Sequence, residues 1–303
     1  MTTPTTTMQT APAHVETTIN YFPEVGGTTS YVTGSPDFFN RKFAPTKVKV
    51  QDIRGRETDF SLEKQGFQWV EHASEQGDFG DDARIRSFYY TEAEDLIRRV
   101  TRATAVKGFS HEVRSVDLST LLDQNKSVDV KTPRNSPPAM YAHIDNGPAW
   151  ANQLFRRFFT SEEVERFRGC RWAIINAWRP IKTIYRNPLG VCDTSTVPDS
   201  DLVPVYATLT PTWGNTLEDL SAEQSQVYNV KANPNHRWYF ASKMQPDEVL
   251  LITIFDTNKT AEGIPRRVVH SAFPYESGQG ASPRESIEFR ALVVWEDQKA
   301  AES

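Results

Sequence analysis

The segment Ala142-His143-Ile144-Asp145-Asn146 sets an imidazole and a carboxylate two residues apart. In a β-strand, positions i and i+2 face the same way, so His143 and Asp145 project into one small volume. A third ligand must come from far along the chain, and His270 is the candidate. Two histidines and one carboxylate on one face of a metal, with the other positions open, form the donor set of non-haem Fe(II) oxygenases. An H-x-D alone is a weak signal. It gains weight from Pro283-Arg284-Glu285-Ser286-Ile287-Glu288-Phe289-Arg290, a strand-like run after His270 in which Arg284 and Ser286 share a face. A guanidinium fork beside a hydroxyl suits a two-point grip on a carboxylate, which a 2-oxoacid cosubstrate would present. Arg290 shares that face, so the anchor stays open between the two arginines, and the shorter separation from His270 favours Arg284.

The elements that must position these residues are mostly strands. Val48–Ile53, Phe67–Val70, Val113–Leu118 and Val128–Val130 read as strands before the H-x-D. After it come Trp172–Trp178, Leu202–Leu209, Val227–Val230, Trp238–Ala241 and the apolar Val249–Phe255, then the strands carrying His270 and Arg284. Two helices interrupt the series. One runs over Thr91–Ala103, opened by a capping box of Thr91 with Glu94; the other spans Pro148–Phe167 and breaks near Thr160-Ser161, with Ser161 as the cap of its second part. A dense strand series with its ligands inside implies a mainly β fold with flanking helices, a jelly-roll or cupin-like barrel. Residues 1–19, rich in Thr and Pro, are expected to form a disordered tail, residues 20–45 an irregular lead-in, and residues 20–303 a single domain.

Composition removes several other classes. With 34 basic and 39 acidic residues and no Lys/Arg block, a nucleic-acid surface is not expected. No apolar stretch approaches the roughly 20 residues that span a bilayer, and the N-terminus has no secretory pattern. Two cysteines, Cys170 and Cys192, are too few for a disulfide framework and point to a reducing, cytoplasmic setting. The 7 Trp and 17 Phe suit strands and an apolar pocket, hence a small, largely apolar substrate. The expected partner is that small molecule, with no nucleic acid and no membrane; a homodimer is left open.

Several blocks in a fixed order carry a family likeness: Val50-Gln51-Asp52-Ile53-Arg54-Gly55, Gly66-Phe67, Asn176-Ala177-Trp178-Arg179-Pro180, Leu189-Gly190-Val191-Cys192-Asp193, Asn235-His236-Arg237-Trp238-Tyr239-Phe240, Pro246-Asp247-Glu248-Val249-Leu250-Leu251, His270-Ser271-Ala272-Phe273 and Arg284–Arg290. Together they resemble the fungal gibberellin-desaturase-like, AsaB-like hydroxylase/desaturase family from about residue 45 to 296. The resemblance implies a double-stranded β-helix core, Fe(II) and 2-oxoglutarate with O2, and oxidation of unactivated C–H bonds by hydroxylation, desaturation or rearrangement in specialised metabolism. It implies His143, Asp145 and His270 as metal and catalytic residues, and Arg284 with Ser286 beside it as the oxoglutarate site.

The remaining candidates are weighed on their own residues. His236, among strand aromatics, rivals His270 as third ligand, but no Arg and Ser pair follows it at a suitable distance. His111-Glu112 begins like a zinc-protease helix, yet position 115 is Ser. Tyr141 shares the face of His143, and Asn176 and Arg179 flank Trp178, so all three are candidate substrate contacts. No G-x-S-x-G, phosphate loop or G-x-G-x-x-G competes. Two other readings stand beside the oxygenase. One is a non-catalytic jelly-roll that binds a small molecule; the other is a cupin-type dioxygenase or hydrolase using His236 in place of Asp145.

Overall fold

The computed structural model describes residues 14–33, 35–116, 136–209, 223–259, 263, 266–277 and 282–301. Its strands are β1 (His14–Tyr21), β2 (Ser30–Val32), β3 (Ala44–Asp52), β4 (Phe67–Glu71), β5 (Ala105–Arg114), β6 (His143–Ile144), β7 (Cys170–Pro180), β8 (Leu189–Cys192), β9 (Leu202–Thr208), β10 (Gln224–Val230), β11 (Trp238–Phe240), β12 (Glu248–Asp256), β13 (His270–Ala272) and β14 (Ser286–Lys299). They form a nine-stranded sheet in the order β1-β3-β11-β8-β13-β6-β10-β9-β2 and a five-stranded sheet in the order β4-β12-β7-β14-β5. The chain is a double-stranded β-helix, or jelly-roll, with flanking helices.

The parity of β7 shows how the layers are built. Trp172, Ile174 and Trp178 point into the core between the two sheets, while Ala173, Ile175 and Ala177 face a second core under the helices. A strand buried on both faces reads as a continuous apolar run, which is why this one is legible in the sequence. Strand β14 follows the same rule, with Leu292 and Val294 inward and Ile287, Phe289 and Val293 outward. The helix Tyr90–Thr101 lays Ala93, Leu96 and Ile97 against that outer face.

Four expectations need correction. Residues 14–19 are not tail: β1 pairs antiparallel with β3 over its whole length, and Ile19 and Tyr21 are buried. Its alternation of Val15, Thr17, Ile19 and Tyr21 was masked by threonines, which a strand accepts readily. The capping box at Thr91 does not form. A helical turn over Asp82–Arg84 and a π-turn over Ile85–Tyr89 run straight into the helix, so Asp81 caps Arg84 N, and Glu94 accepts from Gly108 N at 2.7 Å. The cap of the later helix, Ser161–Arg166, is Thr160 rather than Ser161, in a capping box with Glu163. Strand β5 begins at Ala105 rather than Val113. The expected strand Val128–Val130 and residues 1–13 lie outside the described residues.

Candidate metal centre

His143 and His270 face each other across directly paired strands, as Cα partners of β6 and β13. Asp145 follows β6 by one residue. Its Oδ1 lies 3.3 Å from His143 Nε2 and 3.8 Å from His270 Nε2, and one donor atom from each residue falls within 4.8 Å of the others. Both imidazoles are oriented alike. His143 Nδ1 lies 2.8 Å from the Tyr141 carbonyl and His270 Nδ1 lies 3.1 Å from the Val268 carbonyl. A carbonyl only accepts, so Nδ1 carries a proton in each ring and each Nε2 is the atom turned toward the carboxylate oxygen. Neutral Nε2 with a carbonyl behind Nδ1 is the usual state of a metal-ligating histidine.

The carboxylate is held from behind. Asn176 Nδ2 donates to Asp145 Oδ2 at 2.9 Å and to Glu288 Oε1 at 2.8 Å, and Arg290 sits 3.5 Å from Asp145 Oδ2 and 3.0 Å from Glu288. Burial opposes ionisation of Asp145, but Arg290 and the two imidazoles outweigh it and hold its carboxyl well below the usual range. Burial pushes Glu288 up, and Asp145 adds to that shift. His270 is pushed down to about 4 by burial and by His143; for His143 burial is outweighed by Asp145, and it rises to about 8. One proton on this pair would therefore sit on His143, where a cation bound at Nε2 replaces it.

Arg284 lies elsewhere on the same inner face. It is 4% exposed, donates to the Asn187 carbonyl at 3.0 Å and stacks over Trp178 at 5.4 Å. Its Nε and the Ser286 hydroxyl are buried with no hydrogen-bond partner among the described residues, and burial together with Arg114 brings the guanidinium down to about 9. Arg290, by contrast, is already matched by two carboxylates.

A family model described as "Oxidoreductase/YMDC permease-like domain" matches residues 19–294. The hydroxylase/desaturase efuI of Hormonema carpetanum is 41% identical over 291 residues, covering 94% of this chain and 96% of that one. The alpha-ketoglutarate-dependent dioxygenase phiK of a fungal species is 37% identical over 248 residues, covering 82% and 83%. The chain belongs to the fungal hydroxylase/desaturase family of iron- and 2-oxoglutarate-dependent dioxygenases. The fold of this family member agrees: the iron and alpha-ketoglutarate-dependent endoperoxidase NvfI superposes with a TM-score of 0.76 at 24% identity, covering 94% of this chain and 99% of that chain. Despite the permease in the family description, no helix among the described residues is long and apolar enough to cross a membrane.

In this dioxygenase-family chain, a cavity of about 410 Å³ opens on His143 and Asp145, with Phe43, Phe109, Trp150 and Leu154 among its walls. Tyr141 lines it, its ring 4.7 Å from that of His143. Asn176 and Arg179 do not. Asn176 is fully buried behind Asp145, a positioning residue rather than a substrate contact. Losing an outer-shell partner typically weakens metal binding roughly 10- to 100-fold. Asn176→Ala is therefore expected to raise the Fe(II) dissociation constant by about that factor, read by anaerobic titration.

Arg179 has the opposite parity to Trp178 and points to the helix side. It donates to the carbonyls of His72 at 2.6 Å and Pro246 at 2.8 Å and to Tyr89 Oη at 3.2 Å, and Glu92 lies 3.6 Å away. The cation stacked on Trp178 is Arg284 instead. Arg179→Met should destabilise the fold by about 3–5 kcal/mol, the usual cost of breaking a buried ion pair, while leaving the KM for 2-oxoglutarate unchanged. A denaturation midpoint and a KM measured on one preparation check both halves. His236 is likewise structural: its Nε2 is 3.1 Å from Asp201 and its ring stacks on Tyr21.

The sequence reading missed the residues ahead of the H-x-D. Asn20, at the end of β1, donates to the Met140 carbonyl at 2.6 Å and accepts from Ala142 N at 2.9 Å; on the other side Ala272 N donates to the Ala139 carbonyl at 2.8 Å. The strand taken for a tail thus holds the H-x-D segment in place. Glu288 was legible from its parity with Ser286 and Arg290; Phe43 and Arg41, in the lead-in, gave no periodic signal.

Proposed function

We propose that the chain is an Fe(II)/2-oxoglutarate-dependent dioxygenase that oxidises a small, largely apolar specialised metabolite, with His143, Asp145 and His270 as metal ligands and Arg284 with Ser286 holding the distal carboxylate of 2-oxoglutarate. Its cofactors are Fe(II) and 2-oxoglutarate, with O2 as oxidant. The observation that carries the site assignment is the convergence of two imidazole Nε2 atoms and one carboxylate oxygen beside a cavity. An orphaned guanidinium N–H and hydroxyl at Arg284 and Ser286 fit an oxoacid carboxylate, because buried donors without partners are rare and costly unless a ligand meets them.

When bound, iron with the oxoacid and O2 would supply the oxidising power for an unactivated C–H bond. The protein's part is placement. The Tyr141 and Val268 carbonyls fix the imidazole tautomers, and Asn176 with Arg290 ties down Asp145 Oδ2 so that Oδ1 faces the histidines. Arg284 meets the cosubstrate from the five-stranded sheet, and the aromatic walls keep water from the reacting carbon. Whether that carbon is hydroxylated, desaturated or rearranged depends on how the cavity presents it, at a precision of about 1 Å. We take residues 14–303 as one catalytic domain. A reducing cytoplasm suits Cys170 and Cys192, both free, the latter pushed up to about 12 by burial.

The test is anaerobic titration of the apoprotein with Fe(II) and then 2-oxoglutarate, followed by the weak visible charge-transfer band of a chelated iron–oxoacid pair. A band saturating near one equivalent supports the proposal. A folded protein without it would be a jelly-roll that binds small molecules and does no oxidation.

A further inference from the structure

Arg41 lines the same cavity. Its guanidinium lies 4.5 Å from the Tyr31 ring, 4.3 Å from Phe38, 5.4 Å from Phe43 and 4.6 Å from Tyr141. Nε donates to the Phe38 carbonyl at 2.9 Å, whereas Nη1 is buried with no partner among the described residues. No carboxylate among the described residues forms an ion pair with it. Ring faces attract the cation through their quadrupoles but do not accept its in-plane N–H groups, and although the Tyr141 hydroxyl takes one of these, the cage leaves the charge without an anion and Nη1 without a partner. The other charges of the cavity wall do not help. Asp145 is engaged with Arg290 and the imidazoles, and Glu112 acts on Arg290. Arg114, next to Ser286 across β5 and β14, adds a further positive charge.

We propose that Arg41 is a substrate-recognition residue, and that the molecule oxidised here carries a carboxylate that pairs with its guanidinium. This rests on the reading of the cavity as the substrate site. The substrate is then an amphipathic acid: an apolar body against Phe109, Trp150 and Leu154, and an anionic end beyond Tyr141. The Tyr141 ring neighbours both poles, 4.7 Å from the His143 ring and 4.6 Å from the Arg41 guanidinium, so it sets the spacing between the acid and the oxidised carbon. The cage also explains why the cation is an arginine: a planar, weakly hydrated guanidinium stacks on rings and still presents edge donors, which an ammonium does not.

The experiment is calorimetric titration of the full chain with paired probes, adamantane-1-carboxylate and 1-naphthoate, each against its primary amide. A charge-assisted hydrogen bond predicts that at least one acid binds about tenfold or more tightly than its amide. The preference should vanish in Arg41→Met and Arg41→Gln, with amide binding retained, and persist in Arg284→Met, which excludes capture at the oxoglutarate anchor. Equal binding of acid and amide by the wild-type chain overturns the proposal without any variant, as does a preference unchanged by loss of Arg41 or lost with Arg284. A purely structural clamp on the four rings would lower the melting temperature of both Arg41 variants and leave the acid preference intact. Iron and 2-oxoglutarate binding is read separately. If the charge-transfer band failed in the wild type while the acid preference held, the oxygenase reading would fall and Arg41 would remain the carboxylate-binding residue of this cavity.

Discussion

His270→Ala is expected to lose Fe(II) loading and turnover together, with the fold retained. The reason is geometric. His270 supplies one of two Nε2 atoms turned toward Asp145 Oδ1, and among the described residues no other histidine reaches that point: His236 is committed to Asp201 and Tyr21, and His111 lies near Tyr90 and Asp82. No substitute donor is available, so the loss of affinity should exceed the roughly 10- to 100-fold expected for an outer-shell partner such as Asn176. His143→Ala and Asp145→Ala should behave alike. A cupin-type centre built on His236 predicts that Asp145→Ala keeps its metal. Stoichiometric Fe(II) in either histidine variant, measured by a chelator assay on protein with an unchanged circular dichroism spectrum, would sink the ligand assignment.

The second large effect separates binding from stability. Arg284→Met is expected to raise the KM for 2-oxoglutarate by about 30-fold or more, the usual consequence of truncating one partner of a buried charge pair worth about 2–5 kcal/mol. Fe(II) affinity should be nearly unchanged, because Arg284 does not touch the triad. The ligand-free protein should at the same time become more stable. A guanidinium buried beside Trp178, with Arg114 as a like-charged neighbour, Glu288 compensating only in part and no ion pair to a carboxylate among the described residues, costs desolvation that a bound anion offsets. The melting temperature of the apo variant should therefore rise, and the stabilisation that wild type gains from added 2-oxoglutarate should disappear. A variant with unaltered KM would move the anchor to Arg290, although Arg290 is already matched by Asp145 and Glu288.

What the sequence disclosed follows from period and order. The H-x-D, the distant histidine and the arginine after it are short-range patterns joined by an order along the chain, so both the meeting of His143, Asp145 and His270 and the jelly-roll were readable. Arg179 shows where such reading fails. It adjoins Trp178, yet the two-residue period of a strand sends neighbours to opposite sheets of side chains, and only the register tells which face is the pocket. Strand β1 shows the complementary failure: threonines and prolines ahead of it gave a disordered composition, whereas pairing with β3 gives the segment a partner for every other backbone group. Asn176 was singled out for its neighbourhood, but proximity to a site does not say whether a side chain faces substrate or carboxylate, and its amide meets Asp145 and Glu288.

The pairing of β6 with β13 carries one more consequence. These are among the shortest strands of the molecule, two and three residues long, and they meet in the interior of the nine-stranded sheet at His143 and His270. So few ladder hydrogen bonds make this the thinnest seam of the sheet, and the two residues facing across it are the ones proposed to share a metal. An ion there is a rivet as well as a reagent. It joins distant parts of the chain at the place where backbone pairing is sparsest, and at a free concentration 100 times its dissociation constant it would add about 2.7 kcal/mol to the folded state. Catalytic loading and the mechanical integrity of the sheet are then one quantity, and an enzyme starved of iron would be a looser protein as well as a silent one.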